Sequence, residues 1–264
     1  MKFFSNYKKL PLVSVITVVY NGERYIEGTI QSVINQTYPN IEYIIIDGGS
    51  TDRTIDIIKN YEDYIDYWIS EPDNGIYDAM NKGLESATGD IIGFLNSDDF
   101  YASNNTIEKV VKEFIAQKVD SVYGDLIYVN SKDTSKIIRY WKSKPYKRGL
   151  FKKGWHPPHP TFFVKKEVYE KYGVFNLKFK IAADYELMLR FLEKYQISSS
   201  YISEVLVKMR IGGKSNKNIK NIIQANIESY KAWKENGLKT NPILFLAKPI
   251  SKIFQYKFIG GKNV

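Results

Sequence analysis

The chain has 264 residues, of which 44% are hydrophobic and 25% charged, an ordinary globular composition that excludes disordered, collagen-like and mucin-like classes. It has no cysteine and only two histidines, His156 and His159, which excludes a disulfide framework, a thiolate metal site, a cysteine nucleophile and a multi-histidine zinc site. The formal net charge of +9 sits mostly at one end: residues 205–264 hold twelve Lys or Arg and two Glu, whereas residues 1–204 are nearly neutral.

A second basic run, Arg139 to Lys153, has seven basic residues and no acid. Both stretches read either as surfaces for an anionic partner or as solvated lysine-rich faces. No apolar run approaches the ~18 residues of a membrane-spanning helix. The opening MKFFSNYKKL interrupts its apolar patch with lysines, and so lacks the core of a signal peptide. The expectation is a cytoplasmic protein, soluble or peripheral to a membrane.

In chain order, LVSVITVVY (12–20) is a continuous β-branched run, the pattern of a strand buried on both faces. Tyr25, Ile26, Ile30, Val33 and Ile34 then recur at helical spacing. IEYIIID (41–47) predicts a second buried strand, and DGGSTD (47–52) a turn in which Ser50 or Thr51 could cap the following helix TIDIIKNY. DYWIS (66–70) predicts a third strand, IYDAMNKGLESA (76–87) a helix, and DIIGFLN (90–96) a fourth strand ending in Ser-Asp-Asp. A helix over 104–117 and a strand over 121–129 continue the alternation. From 136 to 165 the pattern breaks into short strands, basic turns and WHPPHP; a helix over 184–195, a strand-like ISSSYISEVLVKM and a basic helix near 217–235 follow. The alternation predicts an α/β fold with a doubly wound, mostly parallel central sheet, helices on both faces, and a C-terminal helical appendage.

In such a sheet, ligands bind beyond the carboxyl ends of the strands. Polar residues gather at all four ends here: Tyr20-Asn21-Gly22, Asp47-Gly48-Gly49-Ser50, Ser70 to Gly75, and Asn96-Ser97-Asp98-Asp99. There is no GxGxxG after the first strand, no phosphate loop of the GxxxxGK[ST] type and no GxSxG. Asn96-Ser97-Asp98-Asp99 can hold a hard divalent cation, which takes one or two carboxylates and completes its shell with water and phosphate oxygens. The same residues can instead form an Asx-turn capping a helix from Asn104.

The segments VSVITVVYNGERYIEGTIQSVINQTYPNIEYIIIDGGSTDRT and GIYDAMNKGLESATGDIIGFLNSDD resemble family 2 glycosyltransferases over about residues 11–215, and DGGSTD with NSDD resembles the bacterial branch that builds O-antigen, capsule and colanic-acid-type polysaccharides. The resemblance implies the GT-A fold and inverting transfer of a sugar from a nucleotide diphosphate sugar. It implies a catalytic domain over 1–215, with a nucleotide-sugar half (11–130) and an acceptor half (131–215), and a basic helical tail over 216–264. By position, Thr17, Val19 and Tyr20 would flank the nucleobase, Asp47 would accept a hydrogen bond from uracil, and Asp73 would lie beside base and ribose. Asn96, Ser97 and Asp98 occupy the Asp-x-Asp position, with Asn96 on the ribose or metal and Asp98 as the main ligand of Mg²⁺ or Mn²⁺. Met80 replaces an arginine of many relatives, a loss for which Asn81 and Lys82 could compensate.

Ala182-Ala183-Asp184 resembles the Glu-Asp motif that supplies the base, with only Asp184 retained. An acceptor hydroxyl must lose a proton as it attacks the anomeric carbon, and one carboxylate suffices for that. Asp184 can also cap the helix that follows it. His159 could contact the acceptor or a phosphate, or be a packed histidine; Trp155 could stack on a sugar, or simply pack.

Asn241-Pro242 reads as a helix start, followed by Ile243, Leu246, Ala247, Ile250, Ile253 and Phe254 with interspersed lysines and a kink at Pro249. That basic amphipathic helix would lie on the inner face of the cytoplasmic membrane or dock on protein. The resemblance favours the membrane, because acceptors in such pathways are lipid-linked glycans. Two rival readings are a nucleotide-sugar-binding nucleotidyltransferase, whose Gly-rich basic loop YNGERYIEG reproduces poorly, and a catalytically inactive scaffold, against which Asp47, Asp98 and Asp184 argue. Nucleic acid is not an expected partner, since the basic excess accompanies aliphatic rather than aromatic residues.

Overall fold

The computed structural model describes residues 10–211 and 219–240. In chain order the elements are β1 (Val13–Val19), α1 (Ile26–Ile34), β2 (Ile41–Asp47), α2 (Thr54–Asn60), β3 (Tyr67–Ser70), α3 (Ile76–Ser86), β4 (Ile91–Phe94), β5 (Asp99–Tyr101), α4 (Thr106–Gln117), β6 (Ser121–Val129), β7 (Ile137–Trp141), β8 (Phe163–Lys165), α5 (Lys166–Tyr172), α6 (Ala183–Leu189), β9 (Ser199–Arg210) and α7 (Ile219–Glu235). α6 runs on into a π-helical turn over Arg190–Lys194.

The strands form one nine-stranded sheet in the order β3-β2-β1-β4-β8-β6-β9-β5, with β7 paired to β6 off this path. The first four strands are parallel, as the buried apolar runs predict. Beyond them the sheet is mixed. β8 lies antiparallel between β4 and the start of β6, β7 is antiparallel to the end of β6, β9 is parallel to β6, and β5 is antiparallel to β9. The excursion over 130–162 delivers β8 without a crossover helix, and without one a parallel return is not forced.

Alternation along β1 and β2 divides the core into two layers. Ile16, Val18, Ile44 and Ile46 belong to the layer that holds the buried residues of α3, α6 and α7, while Val13, Val15, Tyr43 and Ile45 belong to the layer of α1, α2 and α4. α1 presents Ile26, Ile30 and Val33 to the second layer, the spacing of one helical stripe. α7 enters the first layer through Ala232 and Trp233, so residue 216 does not divide a core from an appendage. The expected helix over 241–264 lies outside the described residues.

Three local expectations change. The helix after Asn96-Ser97-Asp98-Asp99 begins at Thr106, not Asn104, and β5 intervenes, so those residues do not cap it. Neither Ser50 nor Thr51 caps α2: its N-cap position is Arg53, which makes no side-chain cap bond, and Asp52 just before it accepts from the Thr54 amide at 3.0 Å and its hydroxyl at 2.5 Å. α6 starts at Ala183 with Ala182 as its N-cap residue, so Asp184 lies inside the first turn.

β4 and β8 meet through Gly93, where an added Cβ would overlap the fully buried ring of Phe163. Gly93→Ala is expected to destabilise the fold by about 1–3 kcal/mol through overpacking. Urea denaturation reads this as a lower midpoint at unchanged slope.

Candidate active site

The loops after β1 and β2 are stitched together by hydrogen bonds from backbone to side chain. The Asn21 amide donates to Ser50 Oγ (2.7 Å), the Gly22 amide to Thr54 Oγ1 (2.8 Å), and the Thr51 amide to Asn21 Oδ1 (2.9 Å). Asn21 has φ 51°, a left-handed conformation that asparagine tolerates. Asp47 is the anchor. Its Oδ2 accepts from the Gly49 and Ser50 amides (3.1 and 2.9 Å) and the Ser70 hydroxyl (2.6 Å), and its Oδ1 from the Ser50 hydroxyl (2.5 Å).

Asp47 is fully buried, with both oxygens engaged by donors of its own loop and of Ser70, so a nucleobase bonding to it would compete with these partners. Thr17 and Val19 are buried as well: the Thr17 hydroxyl accepts from Tyr43 Oη, and the Val19 carbonyl from the Gly48 amide. Of the three residues expected to flank a base, only Tyr20 is open, with 62% of its surface exposed. Asp73 reaches the same edge. Its carboxylate packs where a side chain at Gly48 would otherwise stand, and it accepts from the Gly75 amide at 2.8 Å.

At the end of β4, Ser97 borders Gly22, and its carbonyl accepts from the Thr29 hydroxyl at 2.9 Å. Asn96 Nδ2 donates to Asp99 Oδ2 at 3.0 Å. Asp99 is fully buried and its Oδ1 has no partner. Burial pushes the Asp99 carboxyl well above its usual range and the Asp98 charge adds to this, while Asn96 and Arg210 pull the other way. Burial also raises the Asp98 carboxyl, against the attraction of Arg210.

Arg210, at the end of β9, donates to the Asp98 carbonyl at 2.6 Å, with its guanidinium 4.6 Å from the Phe100 ring centre and 5.0 Å from that of Tyr25. Sequence reasoning missed Arg210, although it is the last charged residue of a strand-like run before a glycine pair. The donor chemistry suits a hard cation: two adjacent carboxylates, Asp98 and Asp99, with one Asp99 oxygen unpartnered. Among the described residues no three His, Cys, Asp or Glu converge as a self-sufficient metal cage.

Asp184 approaches from the other half of the sheet. Tyr77, in the first turn of α3, donates to the Ile181 carbonyl (2.8 Å) and Asp184 Oδ1 (3.2 Å), and the Tyr185 amide donates to the same oxygen (2.8 Å). His159 is buried, stacked on Phe94 and edge-on to Phe175, each with ring centres 5.6 Å apart. Burial holds its imidazole below the usual range, against the raising influence of Asp184. His159 is thus the packed histidine. Phe94 lies two residues before Asn96, so the surroundings of Asp184 and the acidic turn share the end of β4.

Two expected donor contacts have other partners. Asn81 is closed onto the Phe175 backbone, donating to its carbonyl at 3.0 Å and accepting from its amide at 2.9 Å. Lys82 pairs with Glu71 at 2.6 Å and donates to the Pro72 carbonyl. Met80 is core. Trp155 is half-buried against Tyr123, Tyr146 and Phe151, packing that takes up the ring expected to stack on a sugar.

Residues 14–173 match the model of the family described as Glycosyl transferase family 2. An uncharacterized glycosyltransferase of Mycobacterium tuberculosis is 34% identical over 183 residues, covering 68% of each chain. Among solved structures, residues 1–349 of S. aureus TarS in complex with UDP-GlcNAc superpose with a TM-score of 0.65 at 17% identity, over 93% of this chain and 73% of that one. The chain spans 44% of the longer TarS structure. The mannosyltransferase PcManGT of Pyrobaculum calidifontis, in complex with GDP-Man and Mn²⁺, gives 0.64 at 19% identity, over 96% and 71%. These likenesses identify the curled mixed sheet with its helices as the GT-A fold.

Because His159 is held neutral, the unfolded chain takes up its proton first as pH falls. The stability it contributes is complete above its unfolded pKa, near ~6.5, and is lost as pH drops through that value toward the folded one. The stability gap between wild type and His159→Phe is expected to narrow between pH 8 and pH 5 in urea titrations. Parallel pH curves would refute the buried neutral imidazole.

Proposed function

The chain belongs to glycosyl transferase family 2, and on that premise we propose that it moves a sugar, with inversion, from a nucleotide diphosphate sugar to a hydroxyl of a lipid-linked surface glycan of the O-antigen or capsule kind. The observation that carries this reading is the shared end of β4, where the Asp98–Asp99 turn and the His159 packing beside Asp184 meet through Phe94. UDP-sugars are the preferred donor class, in keeping with the UDP-GlcNAc bound by the TarS structure; the GDP-Man bound by PcManGT keeps the nucleotide open to test.

In this mechanism the exposed Tyr20 ring and Asp73 flank the nucleoside, and Asn96 and Ser97 border the ribose. Asp98, with Asp99 behind it, would hold Mg²⁺ or Mn²⁺, whose charge would stabilise the departing diphosphate. Arg210 adds a fixed positive charge at the same turn. Asp184 accepts the proton of the acceptor hydroxyl as the oxygen attacks the anomeric carbon, opposite the departing diphosphate. Tyr77 holds one Asp184 oxygen and leaves the other for this proton.

Arg139 is buried over Tyr128 and Trp141, but the exposed Lys142, Lys144, Lys147, Arg148, Lys152 and Lys153 suit an anionic lipid surface, and with the lysines beyond 210 they support the reading of a protein peripheral to the inner face of the cytoplasmic membrane. No described helix is long and apolar enough to cross a membrane.

Calorimetry with UDP and GDP, each with and without Mn²⁺, tests the donor site: metal-dependent binding of UDP over GDP is expected. Asp184→Asn should keep that affinity and lower turnover by roughly 10²–10⁴-fold, the usual contribution of a general base. Unchanged turnover would refute the base. A chain ending at residue 240 should bind UDP as the full chain does and no longer sediment with anionic vesicles; if it still sediments, the lipid contact lies within residues 1–240.

A further inference from the structure

The segment over 173–182 has no long regular element, yet it must deliver Asp184 at a fixed position. A free backbone there would cost about 1–2 kcal/mol of conformational entropy per residue to order. Its polar groups are tied by side chains from two helices. From α3, Asn81 takes both polar groups of Phe175, and Tyr77 donates to the Ile181 carbonyl. From α7 comes Glu228, which is buried. Its Oε2 accepts from the Ile181 amide at 2.8 Å and the Ala182 amide at 2.9 Å, while its Oε1 accepts from Gln224 at 2.9 Å.

Ile181 is therefore gripped at its N–H by α7 and at its C=O by α3. Ala182 is gripped at its N–H by Glu228, and its carbonyl accepts the Glu186 amide that opens α6. Two further bonds fix α6 to α7: Trp233 Nε1 to Tyr185 Oη at 2.9 Å, and Asn236 Nδ2 to Glu186 Oε1 at 2.8 Å. Burial raises the Glu228 carboxyl, but the bonds from Gln224 and the two amides outweigh it and leave the group below its usual range.

We infer that Glu228 is a positioning residue for Asp184, and that α7, beyond the span of the family match, is part of the catalytic apparatus. This rests on Asp184 being the base. Glu228 acts through backbone: it holds the amides of Ile181 and Ala182, the latter two residues before Asp184, so that the Asp184 carboxylate meets Tyr77. A displacement of about 1 Å at such a group is enough to cost roughly 10²-fold in rate.

Hydrogen–deuterium exchange and kinetics on the full chain test this together. Turnover is read as UDP released from UDP-hexoses, and donor affinity as UDP binding by calorimetry. Glu228→Ala should speed exchange of the peptide holding Ile181 and Ala182, and lower kcat by roughly 10–100-fold at unchanged UDP affinity. Glu228→Gln keeps an acceptor oxygen for the amides and should restore most of kcat. If the alanine variant does not fold, Glu228→Asp, which keeps the charge but falls short by one methylene, should show the same split between kcat and affinity.

Unchanged exchange, or faster exchange with unchanged kcat, overturns the inference, as does a loss of kcat that Glu228→Gln does not restore. Asp184→Asn run in parallel separates the two ideas. If it is inactive while Glu228→Ala is fully active, only the positioning role fails; if it is active, the base assignment itself fails.

Discussion

The strand ends that border the proposed donor site depend on one buried carboxylate. Asp47 ends β2 inside the protein and gathers four hydrogen bonds from the Gly49 and Ser50 amides and the Ser50 and Ser70 hydroxyls. Such charge-assisted bonds are the strong ones, and leaving even one of these buried donors unmet would cost about 1–3 kcal/mol. The arrangement locks the ends of β2 and β3 to one another. Ser50 passes the constraint on, donating to Asp47 while accepting from the Asn21 amide, so the end of β1 is held by the same group. With those three strand ends fixed, Tyr20 and Asp73 have no freedom to choose another edge.

The acceptor side uses the inverse device. Asp47 is one side chain organising several backbone amides of its own loop; the Asp184 segment is a stretch of backbone organised by side chains from distant helices. α3 takes part in both halves. Its buried face packs Met80 and Leu84 into the core beneath β1 and β2, Gly83 lets it approach Ile16, and Tyr77 and Asn81 reach across to residues 175–184. A helix following the donor-side strands therefore sets the geometry of the residue proposed to act on the acceptor. The two halves implied by the family resemblance are not mechanically separate.

The elements were legible because burial writes a period into the sequence. Continuous β-branched runs gave β1 and β2, and the recurrence of Ile26, Ile30 and Val33 gave α1. The polar strand ends were legible by type but not by direction. Asp47 and Tyr20 occupy equivalent strand ends, yet one is fully buried and the other mostly exposed, because hydroxyl and amide donors surround the first and nothing covers the second. The partners of Asn81 and Lys82, Phe175 and the Glu71–Pro72 turn, were hidden for a related reason: they are specified by tertiary approach rather than by spacing. The antiparallel β8 was hidden because its three residues carry no periodic pattern of their own. Glu228 sits in a stretch whose charge balance reads as surface, and its burial follows from two amides some 46 residues away.

The charge at the end of β4 links these parts. Two adjacent carboxyls lie there, one fully buried, and both are driven upward by lost solvation. Arg210 opposes them from β9, and burial depresses its own charged form while Asp99 and Asp98 sustain it. Lys82 is paired with Glu71 on a solvent-accessible edge. A nucleoside diphosphate brought to this edge would add negative charge to a turn that already carries more acid than base. In a partly desolvated site, like charges a few ångströms apart repel by several kcal/mol at an effective dielectric of about 20, so bringing a diphosphate to this turn would call for added positive charge. That imbalance is the physical reason the proposed transfer includes a divalent cation at Asp98, with Asp99, its open oxygen already desolvated, behind it.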